Sequence, residues 1–373
     1  MAGKPKLLCK RMGTKIERKN RVRVLLLALA AACIFIAANQ SEGSAEDFIE
    51  QGSAKLELGQ YDEAAVEFGR ALQLRAAMVA GHIGRGIAYI WRGRFQEAIA
   101  DFDQVLQLEP YNVSAYYYRG TAKGNLKLFK EAIADYDFAI RLKHDHADAF
   151  VQRGNAKTCL GLHQEAFADF ERALHYDPDN ARAYHGRGVT YLNLGRSEDA
   201  LGDLDRALQL EPDFAEAFVG RGYAKAALGL YQEAIVEYNL ALELQPGHVS
   251  AIFSRGLARE KMGQYQSAIA DYDQVLLSKP DSSHTYFHRG LARANLGRFQ
   301  DAIGDYDRAL QLKHDYAKAY LNRGLAKDNL GLFDGAFADL QAAAKLESAN
   351  VAMDNAEGID SEGLGRQLLF GQY

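Results

Sequence analysis

The sequence predicts an all-α chain, a solenoid of helix pairs, on three observations. A pattern recurs every 34 residues without insertion or deletion. Apolar residues within each repeat fall twice at helical spacing. Every proline after Pro5 stands at the same repeat position. Self-similarity at such a period marks stacked supersecondary units, none of which buries its apolar face alone.

The chain opens on a leader. Residues 1–44 carry nine Lys/Arg against two acids, net +7, and the remaining residues carry 35 against 47, net −12. Basic residues from Lys4 to Arg23 lead into an apolar run, Val24 to Ala38, and the chain turns polar at Asn39. A positive segment, a short apolar segment and then small residues form the pattern of a secretory signal. As a helix the run would span about 22 Å, short of a hydrocarbon core of about 30 Å. Cleavage after Ala38 or Ala45 is expected, with Met12 as an alternative start. Two other readings stay open. Residues 24–38 are an uncleaved membrane anchor with the basic flank cytoplasmic, or Cys33 carries a lipid, which Ile34, Phe35 and Ile36 oppose by extending the apolar run. Each of these readings places the body in the periplasm or another extracytoplasmic space; the remaining alternative is a leader that is no targeting segment at all. A body this acidic has no basic footprint for nucleic acid. Cys159 is its single cysteine, so no internal disulfide and no zinc spacing exists there.

Next come the repeats. Arg-Gly recurs at 34-residue steps from Arg85-Gly86 to Arg323-Gly324, with Gln51-Gly52 one step before. Asp135-Tyr136-Asp137 recurs as Asp271-Tyr272-Asp273 and Asp305-Tyr306-Asp307. Nine units therefore cover residues 45–350, starting at 45, 79, 113, 147, 181, 215, 249, 283 and 317. In the fourth unit, Phe150, Gly154 and Leu160 mark a first helix, which Gly161 ends. Ala166, Phe170, Ala173 and Leu174 mark a second, which Pro178 stops. Pro110, Pro212, Pro246 and Pro280 share that position, the thirty-second of the unit. Each unit reads as helix A, turn, helix B, turn. Residues 351–373 keep Gly358 and Gly365 in frame but put Asp354 in an aromatic slot, so they read as a degenerate capping helix or tail. Leu368, Leu369 and Phe370 are available there to dock on the ninth unit.

These residues resemble the tetratricopeptide repeat family over about four-fifths of the chain. Glycine stands at repeat position 8 in all nine units, and alanine at position 20 runs from Ala64 to Ala336. Position 24 is aromatic except at Leu204 and Leu340, Val105 and Val275 replace alanine at position 27, and Lys127 replaces glycine at position 15. The resemblance implies a right-handed superhelical solenoid. It also implies that positions 2, 5, 6, 9, 12 and 13 of helix A line a concave surface.

Two sets of residues follow. Arginine at position 7 forms a ladder, Arg85, Arg119, Arg153, Arg187, Arg221, Arg255, Arg289 and Arg323, and position 23 is acidic in every unit. Donor and acceptor recur together, so an Arg–carboxylate tie between helices is the expectation, and a row of guanidinium groups awaiting an anionic ligand is the alternative. The groove columns read Ile49, Ile83, Tyr117, Val151, His185, Val219, Phe253, Phe287 and Leu321 at position 5. At position 9 they read Ser53, Ile87, Thr121, Asn155, Val189, Tyr223, Leu257, Leu291 and Leu325. The partner-binding candidates are Tyr117, Val151, Asn155, His185, Val219, Tyr223, Phe253, Leu257, Phe287, Leu291 and Leu321. Packing among neighbouring A helices is the competing role. Some family members grip a C-terminal carboxylate with a set of lysine, asparagine and arginine. Only Asn155, Asn322 and Lys318 match single slots of that clamp here.

Catalytic chemistry finds no foothold. His284 and His288 are four apart but lack a glutamate between them and an evident third ligand. Cys159 has no recurring histidine partner, and no phosphate loop or nucleophile elbow occurs. The expectation is a non-enzymatic scaffold that binds a peptide or protein segment and needs no cofactor and no metal. Envelope or secretory-compartment assembly would suit it. The alternatives are a substrate-presenting subunit of an enzyme complex and a self-associating array.

Overall fold

The computed structural model describes residues 43–357. The signal, anchor, Cys33 and Met12 readings lie outside the described residues, and so do Leu368, Leu369 and Phe370. Eighteen α-helices follow one another in tandem pairs among the described residues. Helix A of successive units is α1 (Ala45–Glu57), α3 (Val79–Trp91), α5 (Val113–Asn125), α7 (Ala147–Cys159), α9 (Ala181–Asn193), α11 (Ala215–Ala227), α13 (Val249–Lys261), α15 (Ser283–Asn295) and α17 (Ala317–Asn329). Helix B is α2 (Tyr61–Leu74), α4 (Phe95–Leu108), α6 (Phe129–Leu142), α8 (His163–Tyr176), α10 (Ser197–Leu210), α12 (Tyr231–Leu244), α14 (Tyr265–Ser278), α16 (Phe299–Leu312) and α18 (Phe333–Glu357). This is the all-α tandem array that the 34-residue period predicts. No described helix is long and apolar enough to cross a membrane.

Local chemistry sets the helix ends. Gly59, Gly161 and six other glycines at position 15 have φ between 71° and 78°. In this left-handed conformation the chain turns back on helix A: Gly59 donates its N–H to the Leu56 carbonyl at 3.0 Å, and Gln60 donates to Lys55 at 2.8 Å. Carbonyls that the helix leaves unpaired are thereby satisfied. Lys127 takes the same conformation without being glycine, at φ 61°. The start of α1 carries a capping box, in which Ser44 and Asp47 bond to each other's backbone. Helix B ends just before the proline, as α8 ends at Tyr176 ahead of Pro178.

Packing within a pair depends on the glycine at position 8. A Cβ on Gly154 would lie 2.9 Å from the Phe170 ring, and one on Gly222 only 2.5 Å from Tyr238. The ring at position 24 thus occupies the space a side chain would need.

The described residues form two compact units, 43–122 and 123–357. Phe68 and Phe102 centre the core clusters of the first. Phe170, Leu204, Tyr238, Tyr272 and Tyr306 do so in the second. Most joints follow one template: position 24 meets alanines at positions 3 and 10 of the next unit, with Gly81, Thr190 and Thr285 as the departures. Leu204 meets Ala217 and Ala224, and Tyr306 meets Ala319 and Ala326. Helix α18 has 25 residues where the other B helices have fourteen, and it passes residue 350 without a break.

Candidate functional site

The arginine ladder is saturated by its neighbours. Arg153 donates from Nε to Asp169 at 3.0 Å and from Nη1 to Asp137 of the preceding helix B at 2.6 Å. Arg221 ties Glu237 to Asp205, Arg289 ties Asp305 to Asp273, and Arg323 ties Asp339 to Asp307. Arg255 joins Asp271 to Asn239. Arg85 pairs with Asp101, Arg187 with Asp203, and Arg119 with Asp103. The guanidinium groups of Arg153 and Arg221 also lie over the rings of Phe150 and Phe218, at 5.2 and 5.3 Å. One arginine therefore fastens three helices.

A second cation, at position 11, completes the ladder. Lys157 meets Asp169, Lys225 meets Glu237, Arg293 meets Asp305 and Lys327 meets Asp339. Burial opposes ionisation of Asp339, but hydrogen bonds from Arg323 and Lys327 outweigh it and hold the carboxyl below its usual range. The acid at position 25 and the cation at position 11 were both visible as columns of the sequence. They escape notice when only positions 7 and 23 are compared.

The groove columns divide. At position 5, Val151, His185, Val219, Phe253 and Phe287 are buried. They do not line an open groove, which corrects their reading as partner contacts. Phe253 packs on Tyr272 and on His288 of the next helix A, at 5.8 Å in each case. Phe287 packs on Tyr306 and Tyr316, and His185 on Phe214. Position 5 points into the joint between units, where apolar residues are selected by packing. Val189 at position 9 is buried as well. Tyr117, Asn155, Tyr223, Leu257 and Leu291 are half-buried, and Leu321 and Leu325 are exposed. Tyr223 accepts a hydrogen bond from Ser254 at 2.8 Å.

Position 6 is coupled to the preceding position 24. Where position 24 is Phe68, Phe170 or Leu204, the next unit has Gly84, Gly186 or Gly220. A Cβ on Gly84 or Gly186 would lie 2.3 or 2.5 Å from the phenylalanine tip. Where position 24 is Tyr136, Tyr238, Tyr272 or Tyr306, the next unit has Gln152, Ser254, His288 or Asn322. The Tyr238 hydroxyl meets Ser254, and the Tyr272 ring lies 6.1 Å from His288 while its hydroxyl donates to Glu260. The Tyr306 hydroxyl has no protein partner among the described residues, and Asn322 donates to the Lys318 carbonyl instead. Tyr118 departs from this pattern and stacks on Phe102 at 5.9 Å.

Chemically reactive groups are muted. Burial pushes the Cys159 thiol up to about 11, far from a nucleophilic thiolate at neutral pH. His288 faces Glu260 through Nδ1 at 3.2 Å, and His284 lies against the Tyr316 ring. No three His, Cys, Asp or Glu side chains converge among the described residues.

In the unit of residues 43–122, α1 and α3 pack directly on each other. Along α1, Glu46, Glu50 and Glu57 form an exposed stripe. Along α3, Ile83, Ile87 and Trp91 form an apolar stripe at four-residue steps, and Tyr117 follows on α5.

Tetratricopeptide repeat models match residues 79–112, 185–249, 253–317 and 317–350, and a TPR repeat model matches residues 154–195. No curated protein matches the chain. Among solved structures, the chain is similar to a tetratricopeptide repeat protein from Parabacteroides merdae. The identity is 20% over 66% of this chain and 98% of that one, with a TM-score of 0.50. It is also similar to the Cut9–Hcn1 hetero-tetramer of the APC/C, at 14% identity over 81% of this chain and 73% of that one, TM-score 0.58. A further likeness is to YrrB, a TPR protein with an unusual peptide-binding site. That one has 26% identity over 49% of this chain and 94% of that one, TM-score 0.39. The first two likenesses show the paired-helix fold.

Proposed function

The chain belongs to the tetratricopeptide repeat family, and on that premise we propose that it is a non-catalytic scaffold holding a peptide or protein segment against its helix-A faces. One observation carries this reading. Leu257, Leu291 and Leu325 stand at the same position of successive A helices; the first two lean on the core beside Phe253 and Tyr306 yet keep part of their surface uncovered, and Leu325 is exposed. Apolar surface aligned on a repeat face favours partner binding. The test is affinity capture with the full chain and a Leu257→Ala, Leu291→Ala double variant. Loss of the captured protein by a variant that keeps its helical circular dichroism and a cooperative melting curve supports the reading. Capture indifferent to both changes overturns it. Phe253 and Phe287 are unsuited to that test, because their truncation would open the core.

The leader supports placing this scaffold outside the cytoplasm, in envelope or secretory-compartment assembly. Mass spectrometry of the protein from its native cells would decide this. A mature N-terminus between Ala38 and Ala45 supports signal cleavage, and an intact leader in a membrane fraction supports an anchor. An intact leader in the cytoplasmic fraction overturns export.

A second reading, self-association, is favoured by the ninth unit. Phe287, Ile303 and Tyr306 of the eighth are 6%, 7% and 0% exposed, covered at the joint with α17. Their counterparts Leu321, Phe337 and Leu340 are 36%, 64% and 37% exposed. Among the described residues, the template that buries this face in inner units leaves it open at the last one.

A further inference from the structure

We infer that the helix-A face of residues 43–122 takes a basic segment of a partner protein, one that also carries apolar side chains. This rests on the helix-A reading above and adds the partner's chemistry. Trp91, the one tryptophan of the chain, is 64% exposed. It is nonetheless held in place: its ring stacks on Tyr61 with centroids 5.6 Å apart and planes 9° from parallel. The neighbouring Arg92 is tied to Asp62 at 2.7 Å. A large, rigid, mostly uncovered indole is the kind of side chain that anchors an interface at low entropic cost. Ile83 and Ile87 lie in line with it along α3; both lean on the Phe102 core and leave only part of their surface uncovered.

The charge beside this stripe has one sign. Glu46, Glu50 and Glu57 run along α1, which packs on α3. Glu46 is paired with Arg75 at 3.0 Å, but no cation of the described residues lies in ion-pairing distance of Glu50 or Glu57. The nearby cations are engaged, Lys55 with Glu67, Arg92 with Asp62 and Arg94 with Glu97. An exposed indole beside acidic side chains that no cation among the described residues compensates selects a partner whose apolar residues are interspersed with Lys or Arg. Such a partner meets the carboxylates with opposite charge, and its cations meet the face of the indole. An acidic or purely apolar segment would leave Glu50 and Glu57 repelled or desolvated.

Trp91 reports on its own occupancy. The full chain is titrated with an eighteen-residue amphipathic peptide of lysine and leucine, and with the same peptide carrying glutamate for lysine, while tryptophan emission is followed. The lysine peptide is expected to shift the emission to shorter wavelength and to saturate. Raising salt from 0.05 to 0.5 M should weaken binding about tenfold, as for an electrostatically assisted contact. A Glu50→Lys, Glu57→Lys variant should lose at least about tenfold in affinity while its melting curve is unchanged, since both side chains are exposed. The glutamate peptide should leave the emission unmoved. An equal response to both peptides, a response unaffected by the double variant, or no response to the lysine peptide overturns the inference. Binding of the glutamate peptide alone overturns the basic chemistry and leaves the helix-A reading standing. That wider reading falls only with the Leu257, Leu291 capture test.

Discussion

Lys127 holds a left-handed backbone, φ 61°, at a position where the other eight units have glycine. The Cβ clash there costs roughly 1–2 kcal/mol. Glycine gives back about 0.4–1 kcal/mol through the entropy of the unfolded chain. Lys127→Gly is therefore expected to stabilise the protein by roughly 0.5–1 kcal/mol, read as a higher midpoint in urea. His185 makes the opposite kind of statement. Burial pushes its pKa down to about 4, so the fold holds it neutral. The unfolded chain binds a proton near pH 6.5 and the folded chain only near pH 4. The stability tied to this residue is whole above the unfolded pKa and lost as pH falls through that window, by about 3 kcal/mol in all. His185→Val, which installs the residue of Val151 and Val219, should flatten the pH dependence of urea unfolding between the two values. A slope equal to that of the parent would refute the assignment.

Helices are fastened to one another by shared charge. Arg221 joins α11 to α12 through Glu237 and to α10 through Asp205. Arg221→Leu would leave the buried Glu237 with Lys225 as its remaining cation. A cost of about 3 kcal/mol is expected, the lower end for breaking a buried pair. Calorimetry should show the lower midpoint, while a partner bound through Leu257 and Leu291 keeps its affinity. If affinity falls at constant midpoint, the ladder is a binding site. The acids of the ladder give the elements an acid limit. Asp339 and Glu67 have lowered pKa values, the latter chiefly through its hydrogen bond from Lys55. Their contribution is present above the ordinary carboxylate pKa and is lost as pH falls through the lowered one.

At the scale of the whole chain, repetition makes stability a sum over joints, and the ends differ from the middle. Phe337→Asp places a charge on the open face of the ninth unit. It should abolish any concentration-dependent mass increase seen by light scattering and leave the melting curve nearly unchanged, since Phe337 is mostly exposed. Association that survives the change would put the contact elsewhere. The sequence by itself determined the helix pairs, because the period, the glycines that turn the chain and the prolines that stop it act within a few residues. Gly161 and Pro178 needed no knowledge of any neighbour. The coupling of position 24 to the next position 6 was also written there, as Phe170 with Gly186 and Tyr238 with Ser254, though only the packing explains it. Tertiary structure alone decided which apolar residues are free. Phe253 and Leu257 sit four residues apart on one helix and look equally available as letters. The next unit covers the first at its joint and leaves the second half open, because burial depends on where the neighbouring helix crosses.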